Sequence, residues 1–159
     1  MAKDWGSYRV LRKIKYDGTK PIYLDVGCKD KKKAGYIGLD ILNFGQEIVW
    51  DVRGGLPFLD NSVSGIYCSH FLEHLENRDI GDLFIELHRI SKNGTEIDIR
   101  TPHSDNTEAY FACHLSLWNE ARINGILKGL AGLCRFKIKI LEKQNNELVS
   151  TLIVEKDVQ

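Results

Sequence analysis

Short apolar runs alternate with segments of helical spacing along this chain. Trp5, Tyr8, Leu11 and Ile14 recur every three residues, which predicts a short helix over 5–15. Compact apolar runs predict strands at about 22–26, 36–40, 47–51 and 64–69. From Asn77 to Ser91, the residues Ile80, Leu83, Phe84, Leu87 and Ile90 fall on one face and predict an amphipathic helix. Asn77 is its expected N-cap, and Asn93-Gly94 the turn after it. Ile97 and Ile99 alternate with Asp98 and Arg100, so a strand is expected over about 95–101. Residues 105–132 are expected to be mostly helical. Phe136 to Leu141 and Leu148 to Val154 flank Gln144-Asn-Asn-Glu147, a hairpin signal. The whole reads as a single α/β domain over 1–159, without repeats, low-complexity segments or linkers.

Two strand ends carry the first chemical hint. Tyr23-Leu-Asp-Val-Gly-Cys28 is an apolar run closed by Asp-Val-Gly, and Gly35-Tyr-Ile-Gly-Leu-Asp-Ile41 is a second run closed by Asp40. A glycine turn after one strand and a carboxylate at the tip of the next form a cradle for a nucleoside: glycine lets the backbone approach the ligand, and the carboxylate accepts from ribose hydroxyls. Asp40 lies closer to Gly27 than the roughly twenty residues of the dinucleotide fingerprint. The turn is also not Gly-x-Gly-x-x-Gly. Both departures argue against NAD.

Further on stand Leu56-Pro-Phe, Asp60-Asn-Ser, Leu72-Glu-His, Leu87-His-Arg-Ile, Lys92-Asn-Gly and Thr101-Pro102. In this order and spacing, from about residue 22 to 120, the chain resembles the class I S-adenosylmethionine (SAM) dependent methyltransferases, in particular the type 11 domains. The resemblance implies a Rossmann-like, mostly parallel seven-stranded sheet of order 3-2-1-4-5-7-6, ending in an antiparallel hairpin. It implies SAM as cofactor and methyl transfer to an unidentified N or O acceptor. The alternative is a non-catalytic methyltransferase-like module acting through protein contacts.

Composition narrows the partners. Charged residues make up 28% and the net charge is zero, which removes a global pull toward nucleic acid or anionic membrane. No apolar run reaches the ~20 residues needed to span a bilayer, and the polar start does not read as a signal peptide. A cytoplasmic protein with reduced thiols is expected. Cys28, Cys68, Cys113 and Cys134 form no CxxC pair, so a zinc knuckle is not expected. The short chain leaves an open cleft, a lid from a partner, or a homodimer.

The resemblance implies cofactor contacts from Asp25, Gly27, Cys28, Asp40, Ile41, Asp51, Val52, Ser69 and His70. Asp25 and Gly27 fall by the methionine part, Asp40 by the ribose, and Asp51 with Val52 by the adenine. Ser69 and His70 end the fourth strand. Cys68 reads as a core thiol, and His88 and Arg89 as structural. Two positions depart from the family: Lys29 stands where a second glycine belongs, and Ser64 replaces an aspartate. A lysine resists positive φ and brings a long side chain to the loop. Lys31-Lys-Lys33 is a solvated loop or a steering element for an anionic substrate.

His103 follows Thr101-Pro102 at a strand tip, as a candidate general base or a plain surface histidine. No metal is expected. The alternative set is His70, Glu73, His74 and His114. It resembles a divalent-cation site of some methyltransferases that act on RNA 3′-terminal or catechol hydroxyls, with His70 in place of a glutamate.

Overall fold

The computed structural model describes residues 20–157. The predicted helix over 5–15 lies outside them. In chain order the elements are β1 (Ile22–Val26), β2 (Ile37–Asp40), β3 (Ile48–Val49), β4 (Val63–Ser69), α1 (Asn77–Ile90), β5 (Ser91–Pro102), α2 (Glu120–Leu130), β6 (Arg135–Gln144) and β7 (Glu147–Glu155). They form one seven-stranded sheet of order β3-β2-β1-β4-β5-β7-β6. The pairs from β3 through β5 are parallel, while β7 pairs antiparallel with both β5 and β6. The expected strand order and hairpin are both present.

Parallel pairing brings the ends of β1, β2 and β4 to one edge of the sheet. Because β7 runs the other way, its first residue reaches the same edge: Glu147 pairs with Pro102 at the end of β5.

In β1, β4 and β5 buried apolar residues alternate with polar or partly exposed ones, so one face of the sheet carries the core. Leu24, Val26, Leu39, Ile66, Cys68, Ile97, Ile99 and Leu152 are all buried in one core. Ile80, Leu83, Phe84, Leu87 and Ile90 bury the inner face of α1 against it. Each such side chain contributes about 1.5–3 kcal/mol of burial free energy.

The Leu-Pro-Phe and His-Arg-Ile pieces of the sequence turn out to be bonded to each other. Arg89 on α1 donates to the carbonyls of Leu56 and Phe58 and to the carboxylates of Glu86 and Asp60. Glu86 in turn accepts from the Leu56 amide at 2.7 Å. This clasp fixes the loop before β4 to the helix after it. The structural reading of Arg89 holds.

Four expectations change. Asn77 is the first residue of α1; Glu76 occupies the N-cap without a capping bond. The Asn77 side chain instead accepts from Arg122 on α2 at 2.7 Å. The turn at Asn93-Gly94 lies inside β5, where Gly94 at φ 81 lets the strand bulge between Ser91 and Glu96. The strand expected at 47–51 is only the edge pair Ile48–Val49.

Residues 105–132 are helical only at Thr107–Tyr110, a 3-10 turn, and in α2. Tertiary bonds override helix formation between them. Leu115 and Ser116 donate to the Glu73 carbonyl at 2.7 and 3.2 Å, and Trp118 is fully buried with its indole N–H on Ser116. No helix among the described residues is long and apolar enough to cross a membrane.

Candidate functional site

The residues singled out at the strand ends line two cavities that share Gly27. The smaller, about 230 Å³, is lined by Asp40, Ile41, Asp51 and Val52 together with Trp50, Phe71, His74 and Leu115. The larger, about 420 Å³, is bounded by Asp25, Cys28, Lys29, Tyr67, Ser69 and His70. A third cavity of about 730 Å³, lined by Asn61, His88, Leu133 and Glu155, contains none of the expected residues.

Gly27 is required twice over. Its φ is 71, a region that side chains disfavour. A Cβ there would also meet the ring of Phe71 at 2.3 Å. Its amide donates to the Leu39 carbonyl at 2.8 Å, which ties the turn to β2. The close approach expected of a ligand is made here by Phe71.

Lys29 takes the left-handed conformation itself, at φ 46, so the loop keeps a glycine-like path with a lysine in it. Its amide donates to Asp40 Oδ2 at 3.1 Å, and the Leu42 amide donates to Asp40 Oδ1 at 3.0 Å. The Asp40 carboxylate, 8% exposed, is thus the anchor of both neighbouring loops. Carboxylate oxygens have further acceptor capacity, so these bonds leave room for ribose hydroxyls.

Asp25 is 2% exposed and accepts from the Lys33 amide at 2.7 Å. Burial pushes its carboxyl above the ordinary range, against the pull of that bond. Burial also pushes the Cys28 thiol up to about 11, helped by Asp25, so Cys28 is an un-ionised wall of the cavity. Asp51 accepts from the Arg53 amide and pairs with its guanidinium through both oxygens at 2.7 to 3.1 Å. Arg53 holds the Asp51 carboxyl below its usual value. A base edge would share Asp51 with this cation.

His70 directly follows β4, at φ 50. Its Nδ1 lies 3.4 Å from Glu73 and its Nε2 2.5 Å from Glu147. The two carboxylates, Glu73 first, raise its pKa to about 9. His70 is therefore an imidazolium at neutral pH, on the wall of the larger cavity. Glu73 is 1% exposed, and this cation balances its charge.

His103 lines neither cavity. Its Nδ1 is 2.7 Å from Asp105 and its Nε2 3.2 Å from Glu120. The alternative metal set is split: His70 and Glu73 face each other, while His74 and His114 stack edge-to-face at 4.9 Å. Sequence reasoning missed Phe71, Arg53 and Cys113. Arg53 carried a readable signal, an aspartate two residues before a cation; Phe71 and Cys113 carried none.

No family model and no curated protein matches this chain. Solved structures do match in fold. A SAM-dependent methyltransferase from Archaeoglobus fulgidus is 20% identical with a TM-score of 0.64, over 97% of this chain and 94% of that one. A SAM-dependent methyltransferase from Mesorhizobium loti is 13% identical with a TM-score of 0.59, over 93% and 97%. The 1,6-didemethyltoxoflavin N1-methyltransferase of Burkholderia thailandensis, bound to its substrate and S-adenosylhomocysteine, is 14% identical with a TM-score of 0.65, over 98% and 79%. The fold is that of the class I SAM-dependent methyltransferases.

Proposed function

We propose that this chain binds SAM across the two cavities and transfers its methyl group to an N or O acceptor. The observation that carries this is the meeting of the cavities at Gly27, with Asp40 and Asp51 on one side and Asp25, Ser69 and His70 on the other. The smaller cavity suits a nucleoside: Ile41 and Val52 offer apolar cover to the base, Asp40 accepts from the ribose, and Asp51 accepts from an exocyclic amine. The larger suits an amino acid, with Asp25 for its ammonium group and the His70 imidazolium for its carboxylate.

SAM supplies an activated methyl group on its sulfonium, so the protein's share of catalysis is chiefly positioning. His103 has no part in this reading, since both its nitrogens are engaged outside the cavities.

A second reading, a module that kept the fold for protein contacts, is favoured by one feature. The ring of Phe71 rests on Gly27, on the path a ligand must take between the two cavities. Isothermal calorimetry with S-adenosylhomocysteine separates the two. One-to-one binding at micromolar affinity is expected; no detectable heat, with no change in melting temperature, would leave the non-catalytic reading.

A further inference from the structure

The turn that ends in His74 and the irregular segment before Trp118 bring three metal-type donors together. His74 Nδ1 lies 3.0 Å from the carbonyl oxygen of Cys113. A carbonyl only accepts, so in the neutral ring Nδ1 carries the proton and Nε2 keeps the free lone pair. Histidines that bind metal are typically oriented by such a bond from the other nitrogen to a carbonyl. The His114 ring stands edge-to-face against His74, and its Nδ1 is shielded from solvent without any hydrogen-bond partner. Buried polar atoms are rarely left so, and an unpaired ring nitrogen calls for a partner. Donor atoms of His74, Cys113 and His114 all lie within 4.8 Å of one another.

We propose that His74, Cys113 and His114 form a three-ligand site for a zinc-type divalent cation at the edge of the smaller cavity. The donor set selects the ion. One thiolate and two imidazoles suit zinc or cobalt, and do not suit magnesium or calcium, which take oxygen ligands. Tetrahedral zinc, with bonds of about 2.0–2.3 Å, sets its donors roughly 3.3–3.7 Å apart, so no donor pair has to close by more than about 1.5 Å on binding. Cys113 lies exposed in a stretch without regular structure and can make that movement.

Three protein ligands leave a fourth position open, as in catalytic zinc sites rather than closed structural ones. His74 lines the smaller cavity, so that position is close to where an incoming molecule would sit. The class of ligand it takes is water or the hydroxyl or thiol of a small molecule, whose pKa the ion lowers. The site does not depend on methyl transfer: a protein that failed to bind S-adenosylhomocysteine would keep it.

Cobalt(II) titrated into chelator-treated full-length protein is the test, followed by its displacement with zinc. Expected are one ion per chain, a thiolate-to-cobalt charge-transfer band in the near ultraviolet, and the intense visible bands of a tetrahedral complex. Cys113→Ser should abolish the charge-transfer band, and His114→Gln should weaken cobalt affinity at least tenfold. Cys113 is exposed, so its serine variant keeps the test decisive even if His114→Gln fails to fold. A weak octahedral spectrum, or a Cys113→Ser spectrum matching wild type, would overturn the proposal.

Discussion

The amide of Lys29 donates to the Asp40 carboxylate at 3.1 Å, and so joins the loop after β1 to the tip of β2. Asp40 therefore has two tasks, shaping the loop and facing the smaller cavity. Asp40→Ala removes both. It should weaken S-adenosylhomocysteine binding by about 1.5–3 kcal/mol, the worth of hydrogen bonds to a charged acceptor. Calorimetry on both forms checks this, and equal affinities would take Asp40 out of the site.

Lys29 holds φ 46 without being glycine. A left-handed side-chain residue costs about 1–2 kcal/mol, while glycine loosens the unfolded chain by about 0.4–1 kcal/mol. Lys29→Gly should therefore stabilise the protein by up to about 1.5 kcal/mol. A urea melt reads this directly; a lower midpoint would mean that the lysine side chain contributes more than its backbone strain removes.

Gly27 and Phe71 form a tight pair. Gly27→Ala forces a Cβ into the ring and a side chain onto φ 71, and should destabilise by about 2–4 kcal/mol. The strain at φ remains when the ring is removed, but the collision does not. In the double variant with Phe71→Ala, about 1–3 kcal/mol of coupling should appear. Strict additivity in denaturant melts would show that the ring simply moves aside.

His70 should titrate near pH 9 in a histidine NMR experiment, well above its ordinary 6.5. A raised folded-state value means the stabilisation is fully present below about pH 6.5 and is lost as the pH rises through about 9. Glu147→Gln should lower the midpoint only partly, because Glu73 is the larger cause. An unchanged midpoint would show that Glu147 does not hold the ring.

Much of the scaffold was legible because its pattern is local. The α1 face, the β6–β7 hairpin and the Asp25-Val-Gly27 strand end each follow from spacing within a few residues. The rest depends on distant partners. Nothing near residue 113 announces that Trp118 will be buried and that the Glu73 carbonyl will hold Leu115 and Ser116. Those bonds replace the expected helix and bring Cys113 and His114 to His74. The family resemblance pointed to Asp51 but did not reveal that Arg53 occupies both its oxygens. His103 was correctly put at a strand tip, yet its clamp by Glu120 comes from the start of α2.

The antiparallel course of β7 has an implication for how the protein is made. His70 meets Glu147 across 77 residues of chain. On a ribosome, β1 to β4 emerge well before the hairpin that carries Glu147. Until then, among the described residues, Glu73 is the carboxylate that faces the His70 ring. A contact of such long sequence separation forms late and slows folding. The charged wall of the larger cavity is thus assembled in two stages, and a nascent chain gains its full charge pattern there only after β7 joins the sheet.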